Sequence, residues 1–382
     1  MTSATTGSDA PRDSTLRYGV VGTGMMGVEH IENILALDGA AVTAVADPHG
    51  ASQEAARRAV VGAGSPNEPL VVDTVEELLA ADACDAVVIA SPNHTHCDTL
   101  LAVLASPLHV MIEKPLCTTI AECRRVVDAA AQGPAGRIVW MGLEYGYMPP
   151  TARLLRELDS GAVGNVRMVA VREHRFPFLD KVDHWNRFNR YTGGTLVEKC
   201  CHFFYLMNLA TGARPVRVMA SGGQDVNHLD EQYDGERPDI FDNAYVIVEY
   251  DNGSRGMLDL CMFAEASRNE QEVVVVGDEG KIEAFVPENL VRIGRRSDGL
   301  GQVTDVIVEN PDIKHVGLHH GSSYLEHVGF SEAINGVGPI EVNLLDGLWS
   351  VAIGVAAHRS IAEGRPVELS EYPELVGLGL PR

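Results

Sequence analysis

The chain lacks any apolar run near the roughly 20 residues that a bilayer-spanning helix requires. It is also poor in basic residues: 30 Lys and Arg stand against 53 Asp and Glu, a formal net charge of −23. A protein that acidic repels nucleic acid and anionic membrane, so neither is an expected partner. An anionic cofactor would have to be captured by local geometry, not by the field of the whole molecule. Cysteines number seven, an odd count spread without framework spacing, which excludes a disulfide scaffold. Reduced thiols in a cytoplasm are the expectation. There is neither a paired CxxC nor an HExxH, so no metal site is expected from His94-Thr95-His96-Cys97, Cys200-Cys201-His202 or His319-His320. Met1–Asp13 is polar and has no basic-then-apolar order, which is unlike a signal peptide and reads as a flexible tail.

What is present is globular. Apolar residues make up 45% and charged residues 22%. At about 100–200 residues per domain, 382 residues imply two. Up to about residue 145, β-rich runs (Leu16–Val21, Ala41–Ala46, Asp85–Ala90, His109–Ile112, Arg137–Met141) alternate with helical stretches (Met25–Leu37, Ser52–Val61, Val75–Ala80, Thr95–Leu104, Ile120–Ala131). That order predicts a parallel sheet covered on both faces. After Pro149–Pro150 the pattern changes. A helix over Ala152–Leu158 and a strand from Val166 to about His174 lead into an irregular stretch, Arg175–Thr192, and a helix over Leu196–Ala210. Strand-like runs follow at Val216–Ser221, Ala244–Tyr250, Arg255–Met262, Glu272–Val276, Lys281–Phe285 and Val303–Val308, with a hairpin turn at Asp251–Gly253. Helices near Ser323–Asn335 and Leu344–Glu363 close the chain, and Gly222–Asp239 reads as a surface loop able to overhang a site. The expected architecture is an α/β Rossmann domain (15–145, after a tail over 1–14) and an α+β domain (146–382) with a large, mostly antiparallel sheet. The late helices are placed to pack back on the first domain.

Gly22-Thr23-Gly24-Met25-Met26-Gly27 is a GxGxxG between a strand and a helix. Gly22 suits the tight turn, Gly24 a close approach of backbone to pyrophosphate, and Gly27 close packing of helix on sheet, with the helix N-terminus facing the phosphates. Asp47 ends the second strand about 20 residues on, where a carboxylate accepts from ribose hydroxyls and repels a 2′-phosphate; NAD is therefore expected over NADP. Later strand ends carry Ser91-Pro92-Asn93-His94-Thr95-His96 and Glu113-Lys114-Pro115. Ligands of open α/β sheets bind at such ends. Lys114 there is a candidate proton carrier or hydroxyl donor.

These motifs, with Gly193-Gly194-Thr195-Leu196-Val197-Glu198-Lys199-Cys200-Cys201-His202, resemble those of the glucose–fructose oxidoreductase / inositol dehydrogenase / rhizopine-catabolism (Gfo/Idh/MocA) family, in order and over nearly the whole chain. The resemblance implies NAD-dependent oxidation of a secondary hydroxyl of a sugar or cyclitol by a homodimer or homotetramer. It implies cofactor contacts from Gly22, Gly24, Met25, Met26, Gly27, Asp47, Ser91, Pro92, Asn93, His96, Glu113 and Lys114. It also implies a catalytic acid followed four residues later by a histidine, here Glu198 and His202, where Asp is the commoner acid. At that spacing the two share a helix face. Thr195 and Glu198 also fit a capping box. Lys114 and His202 would flank the carbinol oxygen, one of them as base, with Lys114 favoured and His202 in a relay. His184 and Asn186 match a substrate-contacting pair of inositol-type relatives, and Trp185, Tyr145 and Tyr324 are further candidates. An Asn-x-Arg common after the sixth strand is replaced by Glu144-Tyr145-Gly146-Tyr147. An NAD-dependent glycosidase or lyase, oxidising a sugar transiently to cleave it, is the alternative activity; a non-enzymatic binding module is disfavoured by Lys114 and His202.

Overall fold

A computed structural model describes residues 15–65 and 68–380; the tail over 1–14 lies outside them. Six parallel strands form the first sheet: β1 (Leu16–Val21), β2 (Ala40–Ala46), β3 (Leu70–Val72), β4 (Ala86–Ile89), β5 (His109–Glu113) and β6 (Val139–Gly142), in the order β3-β2-β1-β4-β5-β6. Their alternate residues feed two apolar layers. Tyr18, Val20, Val88 and Met111 face α1 (Met25–Leu35) and α2 (Gly50–Gly62). Val87, Ile89, Val110 and Ile112 face α3 (Val75–Ala80), α4 (His96–Leu104) and α5 (Ile120–Ala130). Burial on both faces is what near-continuous apolar strands require. Capping boxes at Thr74/Glu77 and Thr119/Glu122 start α3 and α5.

α6 (Pro149–Asp159) begins at the two prolines that the sequence suggests as a break, because proline is at home in a first helical turn. The second sheet follows: β7 (Val166–His174), then, beyond α7 (Asn189–Thr192), α8 (Thr195–Glu198) and α9 (Cys201–Thr211), come β8 (Pro215–Gly223), β9 (Asn243–Tyr250), β10 (Arg255–Cys261), β11 (Gln271–Gly277), β12 (Gly280–Val286), β13 (Leu290–Arg295) and β14 (Thr304–Ile307). α10 (Ser322–Ile334), α11 (Leu344–Glu363) and β15 (Val367–Glu368) end the order β14-β13-β12-β11-β7-β10-β9-β8-β15, antiparallel apart from β7 beside β10. Period-two burial (Val169, Val171; Val246, Val248; Leu258, Leu260; Val273, Val275) turns one face inward onto α9 and α11. β3, β13 and β15 are strands that the sequence pattern did not reveal.

The two late helices pack on the first sheet's layers: α10 against α1, with Phe330 beside Tyr18 and Trp140, and α11 against α5 and β6. α11 also seats α8. Leu196 N–H donates to His358 Nε2 at 3.1 Å. A Cβ on Gly354, one turn earlier, would collide with the Leu196 carbonyl. Gly354→Ala is therefore expected to destabilise by about 1–3 kcal/mol through overpacking. A melting temperature equal to wild type would show that α8 yields without cost.

Candidate active site

The C-terminal ends of β1, β2, β4 and β5 open into one cavity of about 520 Å³, within the range of small-molecule sites. Gly22, Gly24, Met25, Met26, Asp47, Ser91, Pro92, Asn93, His96, Glu113 and Lys114 all line it. Gly22 sits at φ +82, and a Cβ there would lie 2.5 Å from Ser91 Cα, so only glycine closes this turn. Gly27 meets the Gly22 carbonyl instead of the cavity. A Cβ on Gly24 would meet nothing within 4 Å. That space, beside an α1 N-terminus with no side-chain cap and no acid in its first turn, is open to an anionic group from outside the chain. Asp47 is buried, and its Oδ2 accepts from Thr23 N–H (2.7 Å) and its Oδ1 from His49 N–H (2.8 Å), so it also braces the glycine turn. These residues fit the adenosine and pyrophosphate parts of a dinucleotide.

Not every predicted contact has a free side chain. His96 is buried, with Nδ1 and Nε2 on the carbonyls of Pro115 (2.7 Å) and Ser91 (2.9 Å); it fastens β4's end to β5's. Asn93 donates to the Thr192 carbonyl (3.3 Å) and so ties the cavity to α7. Glu113 accepts from the Lys114 N–H (2.9 Å) and lies 2.9 Å from His30 Nε2 of α1, while His30 Nδ1 lies 2.8 Å from His327 of α10. Burial opposes ionisation of Glu113, but His30 and Lys114 outweigh it and hold its pKa low.

The opposite wall comes from the second half: Asp180, Lys181, Val182, Asp183 and Trp185. This stretch is a 3-10 turn, Val182–Arg187, with Asp183 and His184 in left-handed backbone. His184 does not face the cavity; its ring stacks on Tyr233 at 4.2 Å. Asn186 is buried and donates to the Leu179 carbonyl (2.9 Å). Of the expected His184-Trp185-Asn186 group, Trp185 alone lines the cavity. Tyr324 is buried in the first turn of α10 and is likewise not among the lining residues. The loop after β8 braces the wall, through Arg187 Nε to Glu231 (3.0 Å) and Asn189 N–H to Asp239 (2.7 Å).

The helix expected over 196–210 is two helices, interrupted by a turn at Lys199–Cys200. Its first turn starts at Gly194, φ +89, and has no side-chain cap: Thr195 donates to the Phe241 carbonyl (2.7 Å). Glu198 is thus free of the capping box that the sequence suggests. It lies 3.5 Å from Lys181 Nζ, and its carbonyl accepts from Lys114 Nζ (3.4 Å). Across the break, Glu198 and His202 have different partners. His202 stacks flat on Tyr145, centroids 3.9 Å apart, and its Nε2 lies 3.8 Å from Glu144. Its buried Nδ1 has no partner among the described residues. Burial, with the nearby cations Lys114 and Lys199, holds its pKa far down, so the ring is neutral. Burial also works against charge on Lys114, yet Glu113, Glu198 and Glu144 raise its pKa and keep it an ammonium.

Sequence reasoning passed over Lys181, Lys199, Glu144 and His319. Lys199 Nζ donates to Tyr145 Oη (2.6 Å) and pairs with Glu173 (3.0 Å). Glu144 is two residues past β6, so the rule that singles out Ser91 and Lys114 at strand ends would have found it. The seven cysteines are free and six are buried, as small apolar side chains. Among the described residues one cluster, Glu29, Glu32 and His315, has metal-ligand spacing, with Glu29 Oε1 already accepting from Leu318 N–H.

The comparisons decide the family. Residues 16–143 match an oxidoreductase-family model described as an NAD-binding Rossmann fold, and residues 156–369 match that family's C-terminal alpha/beta domain. The chain belongs to the Gfo/Idh/MocA oxidoreductases. NAD is the cofactor of this fold, and the protein is an NAD-dependent oxidoreductase. Among its relatives, the myo-inositol 2-dehydrogenase of Thermotoga maritima is 26% identical over 93% of this chain and 99% of its own length. The scyllo-inositol 2-dehydrogenase (NAD(+)) of Bacillus subtilis is 26% identical over 95% and 99%. The Gfo/Idh/MocA fold recurs in an oxidoreductase domain protein from Kribbella flavida (20% identity, TM-score 0.80) and in levoglucosan dehydrogenase complexed with NADH (19%, 0.79), each aligned over 93% of this chain and 99% of the other.

Proposed function

We propose that the protein oxidises a ring secondary hydroxyl of a cyclitol, or of a closely similar sugar, to the ketone, reversibly. One observation carries this reading: a charged lysine lines the cofactor cavity, and a buried neutral histidine with an unpartnered nitrogen lies close enough to feel its charge. The inositol dehydrogenases among the relatives, aligned over almost their whole length, support a cyclitol. Bound NAD supplies the hydride acceptor. The ammonium of Lys114 donates to the carbinol oxygen and stabilises negative charge that develops on it. His202 takes the carbinol proton at Nδ1. This assignment reverses the leaning that makes Lys114 the base, because its carboxylate neighbours keep it protonated. Glu198 holds Lys181 and the Lys114 ammonium in place, and Trp185 supplies an apolar face to the ring. Asp47 reads the adenosine ribose.

The test is a panel of inositol isomers and sugars incubated with NAD, following absorbance of the reduced nicotinamide. Steady NADH production is expected with a cyclitol. Cleavage of aryl glycosides without net NADH would favour the glycosidase chemistry instead. Asp47→Ser is expected to weaken NAD binding about tenfold and to narrow the preference over NADP; an unchanged NAD/NADP ratio of kcat/KM would remove Asp47 from cofactor choice.

The second sheet supports a homo-oligomer. Val274, Ala170, Met257, Ile247 and Met219 lie in register across five strands on the outer face, and the last three are exposed. A contiguous apolar row of this kind marks an interaction surface. Among the described residues no helix is long and apolar enough to cross a membrane. With free thiols throughout, this supports a cytoplasmic enzyme.

A further inference from the structure

Oxidation of an alcohol releases a hydride from carbon and a proton from oxygen. The hydride stays with the cofactor; the proton is a net product and must reach water. The structure makes that exit a problem. His202 is 1% exposed, packed beneath Tyr145, and its neighbours Lys114 and Lys199 repel a proton held on its ring. A base that cannot discharge stops after one turnover.

Glu144 lies on the far side of the ring. It is 1% exposed, and neither of its carboxyl oxygens has a hydrogen-bond partner among the described residues. Buried carboxyl oxygens are ordinarily satisfied, and leaving them unpaired is costly. Oε1 stands 3.8 Å from His202 Nε2 and also 3.8 Å from His319 Nε2. His319 comes from the loop that leads into α10, and a fifth of its side chain is exposed. Its Nδ1 lies 3.5 Å from the Ser323 hydroxyl. The three groups therefore form a line from the buried base to the surface, with the unattached carboxyl in the middle.

We propose that Glu144 carries the substrate proton away from His202 and hands it to His319, which releases it to solvent. The proton taken from the carbinol by His202 Nδ1 displaces the one on Nε2, which moves to a Glu144 oxygen. Oε1 faces both rings, so the Glu144 carboxylate takes the proton there and hands it on to His319 Nε2, and His319 Nδ1 gives one up to water. No covalent bond other than N–H and O–H bonds is made or broken, and the path runs backwards for ketone reduction.

The electrostatics favour the first transfer, from His202 to Glu144. Burial first, then the charge of Glu113, pushes the Glu144 carboxyl up to about 8, so it exchanges protons near neutrality. The other charged groups facing it are Lys114, Lys199 and Glu326, and the two cations only partly offset the push. His319 is held down to about 3, chiefly by burial, so the step from Glu144 to His319 runs uphill and is drawn forward by release to water. The tyrosine that stacks on His202 keeps water off the ring's face, which leaves the carboxyl side as its outlet.

The inference rests on the proposed function in one respect: His202 must take a proton from substrate. Glu144→Gln and His319→Ala test it. Each is expected to lower steady-state kcat for cyclitol oxidation by roughly 10²-fold. NADH affinity, read from nicotinamide fluorescence, should stay within twofold. The solvent deuterium isotope effect should rise in both, small imidazole buffers should restore rate to His319→Ala, and the double variant should be no slower than the worse single one. A structural role for Glu144 would move none of the isotope or buffer responses. If Glu144→Gln fails to fold, His319→Ala, changed at the partly exposed end, decides alone. Turnover within twofold of wild type in His319→Ala, or in folded Glu144→Gln, overturns the path while the dehydrogenase reading stands. A wild-type enzyme that oxidises no member of the panel overturns that reading, and the path with it.

Discussion

Lys114→Met is expected to lower kcat for polyol oxidation by roughly 10³-fold, with kcat/KM falling equally and NADH affinity changing only a few-fold. Met keeps the length of the side chain and its packing but removes the charge. Around that charge the chain has assembled Glu113, Glu198 and Glu144. Its backbone N–H is pinned by the Glu113 carboxylate, and its Nζ points at the Glu198 carbonyl on the break between α8 and α9. On the proposed mechanism this cation is preorganised to face the developing alkoxide. Its loss should therefore appear in the chemical step and not in binding. Stopped-flow measurement of NADH formation under saturating substrate separates the two. Turnover within tenfold of wild type would show that His202 alone suffices.

The first sheet was legible because its grammar is local. Strand, glycine turn, helix, strand and acid follow one another within about thirty residues, and the acid acts inside that span, Asp47 on Thr23. The second half was legible as strands but not as a site. His184 and Asn186 have a suggestive spacing, yet left-handed backbone at Asp183 and His184 turns one toward Tyr233 and buries the other. Nothing in the local pattern announces that turn. Glu198 and His202 have different partners, Lys181 for one and Tyr145 and Glu144 for the other. A 3.6-residue period presumes an unbroken helix, and the buried Lys199, drawn to Glu173 and Tyr145, interrupts it. Glu144 stands at a strand end where it could have been found, but its approach to His319 was invisible for another cause: 175 residues of chain separate them, and the packing of α10 against the turn after β6 brings them together.

Gly27→Ala carries the second large effect, because it acts on both halves of the reaction. The Cβ would fall inside the van der Waals sphere of the Gly22 carbonyl oxygen, which is backbone and cannot rotate away. Gly22 is itself held in place, its N–H donating to the Ala46 carbonyl at 2.8 Å. Relief therefore requires α1 to lift from the turn. The N–H groups at its N-terminus would then no longer converge on the cavity. One turn further along the same helix is His30, which holds Glu113, and Glu113 holds the Lys114 backbone. A shift of α1 thus reaches Lys114 through two hydrogen bonds. NADH affinity is expected to fall by about 10²-fold, or 2.7 kcal/mol, and kcat at saturating NAD to fall as well. Far-ultraviolet circular dichroism checks that the fold persists. Loss of affinity with an unchanged kcat would mean that the glycine turn and the Glu113–Lys114 strand end are mechanically independent. Loss of both ties the capture of the cofactor to the placement of the Lys114 ammonium, through a single helix that needs a glycine where it crosses the sheet.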